Sequence, residues 1–204
     1  MELHEALTQV SAIRRHMART ETFRGYRAAT IAFSGVCAFV AAGLQAIFLP
    51  APIENPAAYL ALWIGVAAVC VIVAGAELTW RCRHQRSSLA VQHTKLAVGQ
   101  FLPCIVAGGL LTIVLERATP ESRWMLPGLW AILFSLGVFA SCRLLPRPVV
   151  CVGLHYLITG LVCLMLFRNE HALSPWAMVL TFGIGQLLTA AILYFTLERP
   201  HAEE

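Results

Sequence analysis

The 204 residues are 58% hydrophobic and only 13% charged, with a formal net charge of +4 and a mean hydropathy of +0.71. Soluble domains run near half apolar and about a quarter charged, so the composition excludes an ordinary soluble domain. With no aspartate and a single lysine, Lys95, the chain offers nucleic acid no solvated basic surface, and its positive balance reads as membrane topology.

The first 27 residues form the least hydrophobic stretch. Leu3, Ala6 or Leu7, Val10, Ile13 and Met17 recur at helical spacing, and most of the arginines fall on the other face. This predicts an amphipathic helix that packs under its own bundle, lies on anionic lipid, or pairs with a second chain through residues 1–22, because the spacing also fits two heptads. The first apolar run begins only near Ala28 and is too long for the core of a cleavable signal.

Six apolar segments follow, at about 28–50, 57–80, 96–115, 124–142, 149–167 and 175–197. Each is close to the roughly 20 residues that carry a helix across about 30 Å of hydrocarbon. Backbone groups must pair internally in lipid, so helix is the form expected for all six. Turn chemistry separates them in "LPAPIENPAA", "ERATPESR", "LLPRP" and "RNEHALSP". The fold class expected is therefore an all-α polytopic membrane protein: a cytoplasmic helix over 1–27, a six-helix bundle over 28–199 and a tail at 200–204.

Basic residues orient the bundle. Twelve of the fifteen, among them Arg81, Arg83, Arg86 and Lys95, fall on the side of the N-terminus; Arg117, Arg123 and Arg168 fall on the other. Basic loops stay inside, so both termini are expected in the cytoplasm of a bacterial-type inner membrane. Trp80, Trp124 and Trp176 stand at segment ends, where indoles anchor at the interface. The loops on the other side are short, which confines any function to the helices, the cytoplasmic face or the N-terminal segment.

Ionisable residues inside spans cost roughly 2.5–3.5 kcal/mol at mid-membrane and mark functional positions. Two occur: Glu77, about a turn from the cytoplasmic end of span two, and His155, about two turns into span five. A facing Glu–His pair in the inner leaflet would bind or relay a proton. The bland alternatives are an ion pair of Glu77 with Arg81, four residues on, and a hydrogen bond from His155 to a neighbouring helix. The amides Gln45, Gln100 and Gln186 are expected to point inward, and Ser34, Ala38, Ala42, Gly108, Gly109, Gly183 and Gly185 to allow close helix approach. Pro103 and Pro127 fall near the starts of spans three and four, where a proline costs little.

The seven cysteines form no C-x-x-C, and Cys82, His84, His93, Cys142 and Cys151 lack the spacing of a metal framework. One intramembrane histidine does not make a haem site, and no phosphate loop, dinucleotide motif, serine elbow or H-E-x-x-H is present. Neither a cofactor nor an enzymatic activity is expected. "VGQFLPCIVAGGLLTIVLER" in span three and "IGQLLTAAILYFTLER" in span six share their ends, as do "AFSGVCAF" and "LFSLGVFA" in spans one and four. That offset suggests two three-helix halves, inverted because each has an odd number of spans, a plan used by transporters.

In length and six-helix plan the chain is similar to small bacterial membrane proteins, including the substrate-binding subunits of energy-coupling-factor vitamin transporters, whose first helix also uses spaced small residues. That likeness is architectural and carries no residue role. The function expected is transport of a small solute or ion, as transporter, channel or transport subunit, with Glu77, His155, Gln100 and Gln186 near the path. The alternative is a non-enzymatic partner protein that works through its N-terminal helix.

Overall fold

The computed structural model describes residues 28–84, 88–142 and 145–198. The amphipathic helix expected over 1–27, Arg86 and the tail lie outside those residues. All regular structure among them is helical: α1 (Ala28–Phe48), α2 (Pro56–His84), α3 (Ser88–Ala118), a 3-10 segment (Pro120–Met125), α4 (Leu126–Ser141) and α5 (Val149–Leu166). The last helical segment, α6 (175–198, its apolar stretch Pro175–Thr196), begins with a short α-helical turn, Pro175–Met178. It passes through a π-helical turn, Val179–Gly183, resumes over Ile184–Leu193 and ends in a second π turn, Tyr194–Glu198. Among the described residues, six helices are long and apolar enough to cross a membrane, as expected of an integral membrane protein.

Helix runs further than the apolar segments. α2 continues to His84 and α3 starts at Ser88, ten residues before its apolar stretch begins at Val98. No proline or glycine occurs in 80–84 or 88–98, so neither helix has a local reason to stop where hydrophobicity does. This changes the place of Pro103. It stands inside α3 rather than near its start, and its missing N–H cannot bond the Gly99 carbonyl.

The closest interfaces run in the order α2, α1, α6, α5, α4, α3, so the two helices joined by the arginine-rich connection end up farthest apart in that series. The consequence is unequal burial. α2 and α3 bury 11% and 6% of their most apolar stretch, against 28–44% for the other four spans. The core is therefore built mainly by α1, α4, α5 and α6, with the first turns of α2 joining it at Tyr59, Leu60 and Trp63. One cluster, around Ala41, Tyr59, Trp63, Leu126 and Leu173, fills the end opposite the basic residues. A second, around Ala131, Val152, Tyr156 and Leu193, fills the basic end.

Glycines set the spacing of the core helices. A Cβ at Gly128 would stand 2.8 Å from the Gly160 carbonyl oxygen, and one at Gly160 2.9 Å from that of Gly128, so backbone meets backbone where α4 crosses α5. Further along that interface the Phe139 ring fills the space a Cβ at Gly153 would take. Gly137 receives the Phe101 ring from α3 in the same way, and Gly185 receives the Tyr156 ring from α5. Small residues serve lipid-embedded helices in this way because packing contacts, and not release of water, drive their association. Of the glycines singled out from sequence, Gly183 and Gly185 are such contacts. Gly109 faces open space, and Gly108 is only in ordinary contact with Trp130.

Candidate functional site

The seam between α1 and α2 carries three cross-helix pairs. Glu77, Cys70 and Trp63 recur every seven residues on α2, and face Thr30, Cys37 and Gln45 on α1. A seven-residue repeat keeps one stripe of a helix against its neighbour, which is why the pairs fall in antiparallel register. At the basic end the Thr30 hydroxyl donates to the Glu77 carboxylate. At the middle the Cys37 and Cys70 side chains lie side by side. At the opposite end Trp63 Nε1 donates to Gln45 Oε1 over 2.8 Å, and Gln45 Nε2 donates to the Leu173 carbonyl over 2.7 Å.

Glu77 is half-buried, three residues from the end of its apolar stretch at Trp80, or roughly 5 Å by helical rise. The Arg81 side chain, its sequence-predicted partner, is outside the described ones. Arg83 and Trp80 are exposed. A Thr30→Val substitution removes the donor to Glu77 and is expected to cost about 0.5–1.5 kcal/mol in thermal unfolding, whereas Thr30→Ser retains most of it.

His155 sits near the middle of its helix. It is about 4 Å from the midpoint of α5, and its Nε2 lies 3.1 Å from the carbonyl of Leu180 in α6. A carbonyl only accepts, so Nε2 carries the hydrogen and Nδ1 presents its lone pair in the neutral ring. The carbonyl is available because of the π turn. In an α-helix the Ile184 N–H would bond Leu180; here it reaches Val179 and Thr181 instead. One wide turn thus creates an unmet acceptor at membrane depth, and a histidine from the neighbouring helix meets it.

Around this contact the core is aromatic. The Tyr156 ring is fully buried against Phe134 and Phe182, with centroids 4.6 and 5.6 Å away. Its hydroxyl and that of Tyr59 have no hydrogen-bond partner among the described residues. Thr159 donates back to the His155 carbonyl at 2.7 Å, which ties the next turn of α5 to the histidine. Gln186 is half-buried at the middle of α6 and packs on α1, with its Cβ 3.3 Å from where a Gly35 Cβ would stand.

Each member of the expected Glu77–His155 pair has a hydrogen bond to another residue. Glu77 meets Thr30 at the basic end of α1, while His155 meets Leu180 near mid-bundle. Gln100 departs from expectation, since it is exposed and not inward-facing. The stripe of α3 that meets α4 runs through Phe101 and Cys104, and Gln100 lies roughly 100° around the helix from Phe101. Gln45, by contrast, is wholly buried, and its two hydrogen bonds account for it.

Sequence reasoning passed over the π turn, Tyr156 and the Leu173 carbonyl. The π turn had a weak signal in the glycine-rich "TFGIGQ", whose two glycines accommodate Phe39 and Tyr156. No group of three or more metal-ligating side chains occurs among the described residues. No family model, curated protein or solved structure matches the chain.

Proposed function

We propose that the chain is a non-enzymatic transporter, channel or transport subunit for a small solute or ion, with its path beside His155, where α5 meets α6, and Gln186, where α6 meets α1. The observation that carries this is the π turn at Val179–Gly183, whose Leu180 carbonyl has turned out to His155. Irregular backbone at membrane depth is costly unless it lies against protein or lines a path. Broken helices with freed carbonyls are how many transporters build such paths. An imidazole bonded through Nε2 leaves Nδ1 available to take a proton, as a proton-accepting group requires.

In this reading Glu77 stands at the cytoplasmic mouth, both termini face the cytoplasm, and the membrane is a bacterial-type inner membrane. Gln100 leaves the path, since it points away from the packed stripe of α3. The shared words of spans three and six support two inverted halves, and each carries a disturbed third helix: Pro103 in α3 and the π turn in α6. Paired interruptions of this kind are the sequence-level pointer to a transport site.

The test is proton flux into liposomes holding the full chain and an internal pH dye, under an imposed gradient. Flux is expected to vary with pH, to vanish in His155→Ala and to fall several-fold in Glu77→Gln. Flux unchanged in both variants removes these residues from the mechanism, and flux no greater than in empty liposomes removes proton coupling.

A further inference from the structure

The connection from α5 to α6 is strained. It holds both non-glycine residues with positive φ among those described, Asn169 at 50° and Leu173 at 59°. Asparagine tolerates the left-handed region; a leucine there is uncommon and unfavourable. Such conformations persist only where the surroundings impose them, and they concentrate at moving parts.

What imposes this one is visible. The Leu173 side chain is buried in the core, and its carbonyl is held by the fully buried Gln45 amide, itself fixed by Trp63. At the other end of the connection the Arg168 guanidinium lies 4.5 Å over the Trp124 ring. Beyond Leu173, the Ser174 side chain accepts the Trp176 N–H, and α6 then makes only the four-residue turn Pro175–Met178 before the π turn begins. That short turn is bounded on one side by left-handed backbone and on the other by a widened helix.

We propose that Arg168–Ser174 is a strained strap latched by Gln45, and that release of the Gln45–Leu173 bond lets the Pro175–Met178 turn swing about the π turn and open the end of the bundle opposite the basic residues. As a latch the device stands on the contacts above. As a gate it rests on the transport reading, since the turn that moves is continuous with the one His155 holds. Removal of one hydrogen bond releases the strain because the left-handed backbone has no preference of its own to keep it there.

Hydrogen exchange read by mass spectrometry, on the full chain in phosphatidylcholine–phosphatidylglycerol nanodiscs, tests the latch. Gln45→Leu is expected to speed exchange over residues 171–179 by about tenfold or more, while α4 and α5 keep their protection, because opening is local. Trp63→Phe leaves the Gln45–Leu173 bond in place and is expected to change strap exchange far less. Strap exchange unaltered in Gln45→Leu overturns the proposal. So does acceleration spread evenly over all helices, which would make Gln45 a general support, or an equal effect of Trp63→Phe. If Gln45→Leu does not assemble, Gln45→Asn replaces it with the same outcomes, since its shorter amide cannot span Trp63 and Leu173. The liposome proton assay separates gate from latch. Local release with altered proton flux supports both, local release with no flux in any form sinks the transport reading alone, and flux without local release sinks the latch alone.

Discussion

Gly128→Ala is expected to destabilise the bundle by about 2–3 kcal/mol, at the upper end of ordinary overpacking. The new methyl would meet the Gly160 carbonyl at 2.8 Å and the Leu164 side chain at 2.7 Å. A flexible side chain can turn aside, but a carbonyl inside a helix moves only with its helix. Relief therefore needs α4 and α5 to part, which loosens the interface between Phe139 and Gly153 as well. Gly109→Ala is the internal control, because nothing lies within 4 Å of its added methyl. It is expected to stay within about 0.5 kcal/mol of the parent. Thermal unfolding of the purified chain in detergent compares them. The pair Gly128→Ala with Gly160→Ala should cost less than the sum of its members, since the first methyl already opens the crossing that the second needs. Strict additivity would show that the two glycines do not share one contact.

His155→Gln is expected to fold as the parent does and yet to lose proton flux. A glutamine amide can donate to the Leu180 carbonyl as the imidazole Nε2 now does, but it does not titrate. His155→Ala removes the donor, leaves the carbonyl unmet in the core and should cost about 1–2 kcal/mol of stability. The two variants therefore divide the residue's structural work from its chemistry. If glutamine restores both stability and flux, the histidine serves only to close the π turn. If glutamine restores stability alone, the imidazole lone pair belongs to the function. Unfolding midpoints and the liposome assay, read on the same preparations, decide between these.

Much of the architecture was legible because lipid leaves so few options. Six runs of apolar residues had to be helices, and their approximate limits follow from bilayer thickness. The limits shifted at α3, since the residues before Val98 are good helix formers and helix propensity does not end where apolarity does. Partner choice was much less legible. The Thr30 that neighbouring α1 brings to Glu77 had no signal in the spacing of α2, which offered only Arg81, four residues on. Gln100 and Gln45 look alike in sequence, and only the stripe each helix turns to its neighbour makes one exposed and the other buried. The glycines at α4–α5 went unnoticed because spacing within one helix says nothing of what crosses it.

The sequence by itself determined a chain with the make-up of a membrane protein, with helical spans and a charge bias between their ends, since these depend on the transfer of side chains and peptide groups one segment at a time. The tertiary structure decided which helices touch, that the acid meets Thr30, and that a π turn gives His155 a carbonyl. Apolar helices attract lipid and one another almost equally, so their order rests on small differences in shape, a glycine against a ring or a methyl against a carbonyl, that appear only when the surfaces meet.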